Sequence, residues 1–167
     1  MLLDGEGVRA LGALLGLAAL VGTGEGLRRR GVSAATTRRL VHAGVALFVA
    51  ATPLLFARPL PVYGLAVLFT IVNAVARARR WWAGIHEARP ESWGTVALPL
   101  SVLPALAATW SISPERLLPL HAAYLVLALS DPAASWAGER WQPKPPHQTT
   151  TAVGSLAFAG VAFILLT

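Results

Sequence analysis

Residues 125–141 read LVLALSDPAASWAGERW. An apolar run takes in one carboxylate, Asp131, and closes on Glu139, Arg140 and Trp141. What such an acid means depends on what the run is. The whole chain answers that: 55% of its 167 residues are hydrophobic, 13% are charged and the mean hydropathy is +0.59. Soluble domains carry about 25% charged residues. The apolar residues also come in blocks and not at a helical or strand period, which favours membrane spans over an amphipathic core.

Working outward from 125–141, six blocks can be marked: 8–21, 40–56, 60–76, 95–110, 117–137 and 152 to the end. The expectation is an all-α, polytopic membrane bundle of about six spans in a single domain covering 1–167, its N-terminus outside. Several blocks fall short of the ~20 residues that cross ~30 Å of hydrocarbon. Flanking tryptophans and snorkelling arginines extend them. The fourth contains Pro99 and Pro104, which a membrane helix tolerates where neighbours re-satisfy the freed carbonyls. The first block does not read as a cleaved signal peptide. Asp4 and Glu6 precede it and Arg28, Arg29 and Arg30 follow, the reverse of a signal's charge order.

The basic residues fall in alternate connections. Arg28, Arg29, Arg30, Arg38 and Arg39 lie between blocks one and two, and Arg77, Arg79, Arg80 and Arg89 between three and four. Arg140 and Lys144 lie between five and six, so eleven of the fourteen basic residues sit on one face. The positive-inside rule makes that face cytoplasmic, and the net charge of +6 becomes a topology signal instead of a nucleic-acid one. The expected location is a bacterial inner membrane, with the active face cytoplasmic. All six tryptophans lie at or near block ends, as interfacial anchors do. With no cysteine there is neither a disulfide framework nor a thiolate metal site.

Nearly all the polar chemistry belongs to the three cytoplasmic segments. In TTRRLVHAGVALF (36–48), Arg38 and Arg39 lie four and three residues before His42, so all three are helix-surface neighbours. Anchoring explains them, and so does an anion site, because guanidinium forks grip phosphate. In RARRWWAGIHEARPESWGTVALPL (77–100), His86 and Glu87 are adjacent and face apart, so this is no zinc motif. In the third, Asp131 lies a turn or two inside its span, where a charge costs about 2.5 kcal/mol or more and marks a functional site by default. Asp131, Ser135 and Gly138 form one small, polar helix face. TTTAVGS (149–155) then opens the last span with hydroxyls and a glycine, suited to phosphate oxygens at a helix start. An acid for a divalent metal, arginines and a hydroxyl-rich helix start together suggest nucleotide chemistry. The alternative is an ion pair of Asp131 with an arginine that only stabilises the bundle.

Four stretches then carry a resemblance: RRLVHAGVALF, ESWGTVALPLSVL, ALSDPAASWAGERW and TTTAVGSLAF. Over about residues 36 to 163 the chain resembles the polyprenol kinase family of membrane proteins, which covers dolichol, phytol and farnesol kinases and the CTP-dependent diacylglycerol kinase. Bacterial members are often labelled phosphatidate cytidylyltransferase-like. The resemblance implies transfer of the γ-phosphoryl group of CTP, or another nucleoside triphosphate, to a long-chain lipid alcohol. It implies Asp131 as the Mg²⁺ ligand and His42 as the group that positions or deprotonates the alcohol. Arg38, Arg39, Gly138, Arg140, Lys144, Thr151, Gly154 and Ser155 then face the nucleotide phosphates. Thr150 stands where the family has Lys, and Glu139 where it tends to have a basic residue. The last block is short, which fits a truncated chain or a degenerate paralogue. A cytidylyltransferase making a CDP-lipid and a non-catalytic membrane scaffold are the alternative readings. A transporter is disfavoured, since no second intramembrane carboxylate and no inverted repeat is visible. Which alcohol is used, and the oligomeric state, are not written in the sequence.

Overall fold

The computed structural model describes residues 5–81, 93–141 and 150–167. Among the described residues six α-helices run in order: α1 Gly5–Arg29, α2 Ala34–Leu55, α3 Leu60–Ala78, α4 Gly94–Ala108, α5 Leu117–Trp141 and α6 Ala152–Leu166. A short 3₁₀ turn, Pro114–Arg116, leads into α5. No strand occurs among the described residues. Helices α1, α2, α3 and α5 are long and apolar enough to cross a membrane. The other two, at 15 residues each, are shorter, about 22 Å at 1.5 Å per residue.

The outside of the bundle is greasy. Leu15, Leu54, Leu60, Leu118, Leu156 and Phe163 are all largely exposed. A surface with so many exposed large apolar side chains suits a lipid bilayer. Inside, Val49, Leu65, Val102, Leu106, Leu120 and Tyr124 make the buried core among α2, α3, α4 and α5. Lipid tails are as apolar as leucine, so close packing and interhelical hydrogen bonds must hold such helices together. Both are present. Gly24 of α1 backs onto Val41, and Gly44 of α2 receives Leu20 of α1. The His121 Nδ1–H donates to the Ala50 carbonyl at 2.6 Å, tying α5 to α2. Tyr124 and Ser101 hydroxyls meet at 3.1 Å between α5 and α4.

Pro53 inside α2 is accommodated locally. Pro53 cannot donate to the Val49 carbonyl, and the Thr52 hydroxyl does so instead at 2.8 Å. Helix α1 is longer than the apolar block at 8–21, because it continues through Gly22, Gly24 and Gly26 to Arg29. Glycine weakens a helix in water, but a membrane segment must keep its backbone bonded.

Alternate connections gather at opposite ends. At one end Glu6 accepts from the Ala57 backbone N–H at 2.8 Å, and Tyr63 meets Ser111 at 3.0 Å. Those contacts bring together the start of α1, the α2–α3 connection and the α4–α5 connection. The starts of α2, α4 and α6 and the end of α5 meet at the other end, around a cleft. There Arg77 stacks its guanidinium over Trp93, 4.6 Å from the ring centroid. Among the described tryptophans, Trp81, Trp93, Trp136 and Trp141 are exposed, as interfacial anchors are, whereas Trp110 is buried in the core.

Candidate functional site: a basic cleft at one end of the bundle

Two helix starts on the cleft are built by side-chain caps. Ser33 Oγ accepts from the Thr36 N–H at 3.2 Å to begin α2, after a turn in which Gly31 takes a φ of 91° that disfavours other residues. Thr151 Oγ1 accepts from the Gly154 N–H at 3.0 Å to begin α6. From α2, one helical turn in, come Arg38, Arg39 and His42. The last three turns of α5 contribute Asp131, Ser135 and Glu139, four residues apart each time. The first turns of α6 contribute Thr151, Gly154 and Ser155, with Thr150 just before them and Phe158 deeper. Gly94 adds the start of α4. The cleft measures about 510 Å³, within the ~300–1,000 Å³ range of small-molecule sites.

The polar groups inside form two linked sets. The Arg39 guanidinium donates from Nε to Ser135 Oγ at 3.0 Å and makes an ion pair with Glu139. This locks α2 to α5 across the cleft floor. Beside it, His42 Nε2 lies 3.9 Å from an Asp131 carboxylate oxygen, beyond hydrogen-bond reach. The His42 side chain is 19% exposed and that of Asp131 is 51% exposed. Among the described residues, nothing hydrogen-bonds His42 Nε2, although the atom is buried. A buried polar atom without a partner is uncommon and needs an explanation, a ligand atom among them.

His42 and Arg38 have a second surface. Both also line a small apolar pocket of about 50 Å³ behind the cleft, between α1, α2, α3 and α4. Its other walls include Val21, Val45, Phe69 and Leu98. His42 therefore stands at the boundary between a charged compartment and an apolar one.

Most residues singled out from the sequence converge here: Arg38, Arg39, His42, Asp131, Thr151, Gly154 and Ser155 all line the cleft. Gly138 does not. It is buried under the start of α6, where an added Cβ would lie 2.6 Å from Thr151 Oγ1, so it is a packing residue. Arg140 is exposed and is not among the described residues lining the cleft. Lys144, together with His86 and Glu87, lies outside the described residues. Within the cleft Glu139 pairs with Arg39, while Asp131 faces His42. Thr150, Ala35, Ala134 and Phe158 also line the cleft. The i, i+4, i+8 series from Asp131 through Ser135 was the signal that places Glu139; Phe158 gives no such signal, being one apolar residue among many.

No group of three or more potential metal ligands occurs among the described residues. Mg²⁺ in nucleotide sites takes one or two carboxylates and completes its shell with phosphates and water. Asp131, half exposed in the cleft, fits that form of binding. Comparison of the chain with models of protein families, with curated proteins and with solved structures gave no match.

Proposed function

We propose that the protein is a membrane-embedded kinase that transfers the γ-phosphoryl group of CTP, or another nucleoside triphosphate, to the hydroxyl of a lipid alcohol. The observation that carries the reading is His42 at the boundary between compartments, its buried Nε2 without a hydrogen-bond partner among the described residues and 3.9 Å from Asp131. A lipid kinase needs that juxtaposition: anionic phosphates on one side, an apolar acceptor on the other, and a proton acceptor between them.

In this scheme the triphosphate lies in the cleft, with Arg38 and Arg39 offering guanidinium forks and the Thr151–Ser155 turn offering hydroxyls and backbone N–H groups. Mg²⁺ held by Asp131 and phosphate oxygens supplies charge neutralisation when bound. The acceptor hydroxyl reaches His42 from the apolar side. Its oxygen forms a bond to the γ-phosphorus as the bond from that phosphorus to the β–γ bridging oxygen breaks. The hydroxyl proton passes to His42 Nε2, and the nucleoside diphosphate leaves from the cleft. The basic end of the bundle is cytoplasmic, where nucleoside triphosphates are found.

The test is phosphoryl transfer in purified membranes with γ-labelled CTP, Mg²⁺ and a panel of prenols and diacylglycerol. Label is expected in the lipid product, and Asp131→Asn is expected to lower transfer by ~10²-fold or more while inserting normally. Equal turnover by that variant would remove Asp131 from the mechanism. Pyrophosphate release with formation of a CDP-lipid would instead identify a cytidylyltransferase. Nucleotide binding with neither product would leave a non-catalytic scaffold, a reading that Thr150 on the cleft wall favours, since no cation comes from that position.

A further inference from the structure

A second large cavity lies on the outside of the bundle. It is a groove of about 500 Å³ between α1 and α3, walled by Leu14, Val21, Gly22 and Gly26 on one side and by Leu68 and Phe69 on the other. At the cleft end of the bundle its rim carries Glu25 and Arg29, paired at 3.2 Å. From Leu14 to Arg29 it runs about 22 Å along α1. Val21 and Phe69 are shared with the small pocket behind His42. The three spaces therefore adjoin in order: exposed apolar groove, 50 Å³ pocket, charged cleft. Their common walls are Val21 and Phe69 at the first junction and Arg38 and His42 at the second.

We infer that the α1–α3 groove binds the hydrocarbon tail of the acceptor lipid alcohol, whose hydroxyl end turns inward past Phe69 to His42. The inference rests on the kinase reading and gives its acceptor a place. Three features fix the occupant. The groove is apolar along its length and charged only at the end where the bundle meets water, which matches a lipid lying parallel to its neighbours in a bilayer. The pocket has room for a few heavy atoms, enough for a hydroxymethyl group and too little for a tail, so the tail must stay outside. The junction leads to an imidazole nitrogen that no described residue hydrogen-bonds. A lipid without a hydrogen-bonding group at that end would offer it no hydrogen bond.

Gly22 makes the groove testable without disturbing the packing. A Cβ built on Gly22 meets nothing within 4 Å, and the same is true of Gly12, which lies on the same helix outside the groove. Gly22→Phe fills the groove, and Gly12→Phe is the matched control. Farnesol and dimethylallyl alcohol serve as long and short acceptors. Gly22→Phe is expected to lower the preference for farnesol over dimethylallyl alcohol, as the ratio of kcat/KM values, by about tenfold, while Gly12→Phe leaves that ratio at the wild-type value. A farnesol analogue with a diazirine at its tail end, photolysed in membranes, should label residues of α1 and α3. Unlabelled farnesol should compete that labelling away, Gly22→Phe should lose it, and Asp131→Asn should keep it. Labelling confined to other helices, or labelling in the groove that farnesol does not displace because ordinary bilayer lipid fills it, would overturn the inference. So would an unchanged acceptor preference in Gly22→Phe. Competed labelling in the groove of a protein that transfers no phosphate would retain the lipid site and remove the kinase.

Discussion

Arg39 sets the terms on which any anion enters the cleft, because Glu139 and Ser135 already engage its guanidinium. A phosphate arriving there must share the arginine with a carboxylate that repels it. Glu139→Gln keeps the shape and removes the repulsion, so it is expected to lower the KM for the nucleoside triphosphate by about fivefold, near 1 kcal/mol. Nucleotide titration of transfer rates would check this, and a raised KM would instead make Glu139 a partner of the metal. The arrangement also explains how far single residues could be read from the sequence. Arg38, Arg39, His42 and Asp131 declare themselves because charge is scarce in an apolar chain and costly within a span. Which acid faces which base does not follow from spacing, since Asp131 and Glu139 both lie on the α5 face toward α2 and only the approach of the two helices separates the pairings. Arg140 shows the opposite limit. Its place in a motif suggested a phosphate contact, but one residue past Glu139 is a 100° rotation around the helix, and the side chain is exposed.

At the level of elements, the seam between α5 and α6 decides whether the first turn of α6 is in place on the cleft wall. Two glycines bring the helices together. A Cβ on Gly154 would lie 2.9 Å from the Ala134 carbonyl oxygen, a backbone atom that moves only with its helix. It would also lie 2.9 Å from Thr151 Oγ1, the atom that a Cβ on Gly138 would meet at 2.6 Å; that side chain can rotate at the expense of its cap on Gly154. Gly154→Ala should therefore cost about 1–3 kcal/mol through overpacking and Gly138→Ala about 1 kcal/mol through the lost cap. Thermal unfolding in detergent would rank them, and the reverse order would place the tighter contact at Gly138. The six helices themselves were legible because apolar blocks are the strongest signal a chain can carry. Their ends were less so. Block 8–21 understates α1, whose glycine-rich continuation packs against α2 through Gly24 and Val41. Trp110 sits at a block end like the other tryptophans, but the turn after α4 folds it back into the core.

For the molecule as a whole, the positions of the connections give two ends of different charge. Arg28, Arg29, Arg38, Arg39, Arg77, Arg79 and Arg140 belong to segments at the cleft end, and Arg9, Arg58 and Arg116 to segments at the other. The alternation read from loops is thus realised in three dimensions, and it could be read because each connection's charge depends on local sequence alone. The groove between α1 and α3 was not legible, since it depends on how far two helices stand apart and no residue in it is chemically unusual. Orientation in the bilayer can be measured directly, because the chain has no cysteine of its own. Trp81→Cys lies at the cleft end and Ile112→Cys at the opposite end, and both positions are more than half exposed. In intact cells, a membrane-impermeant maleimide should modify Ile112→Cys and spare Trp81→Cys, and permeabilisation should make the two equal. The converse pattern would place the cleft, with Arg38, His42 and Asp131, on the side where nucleoside triphosphates are scarce. A kinase could not work there, so labelling of Trp81→Cys from outside would remove the proposed reaction without a single turnover being measured.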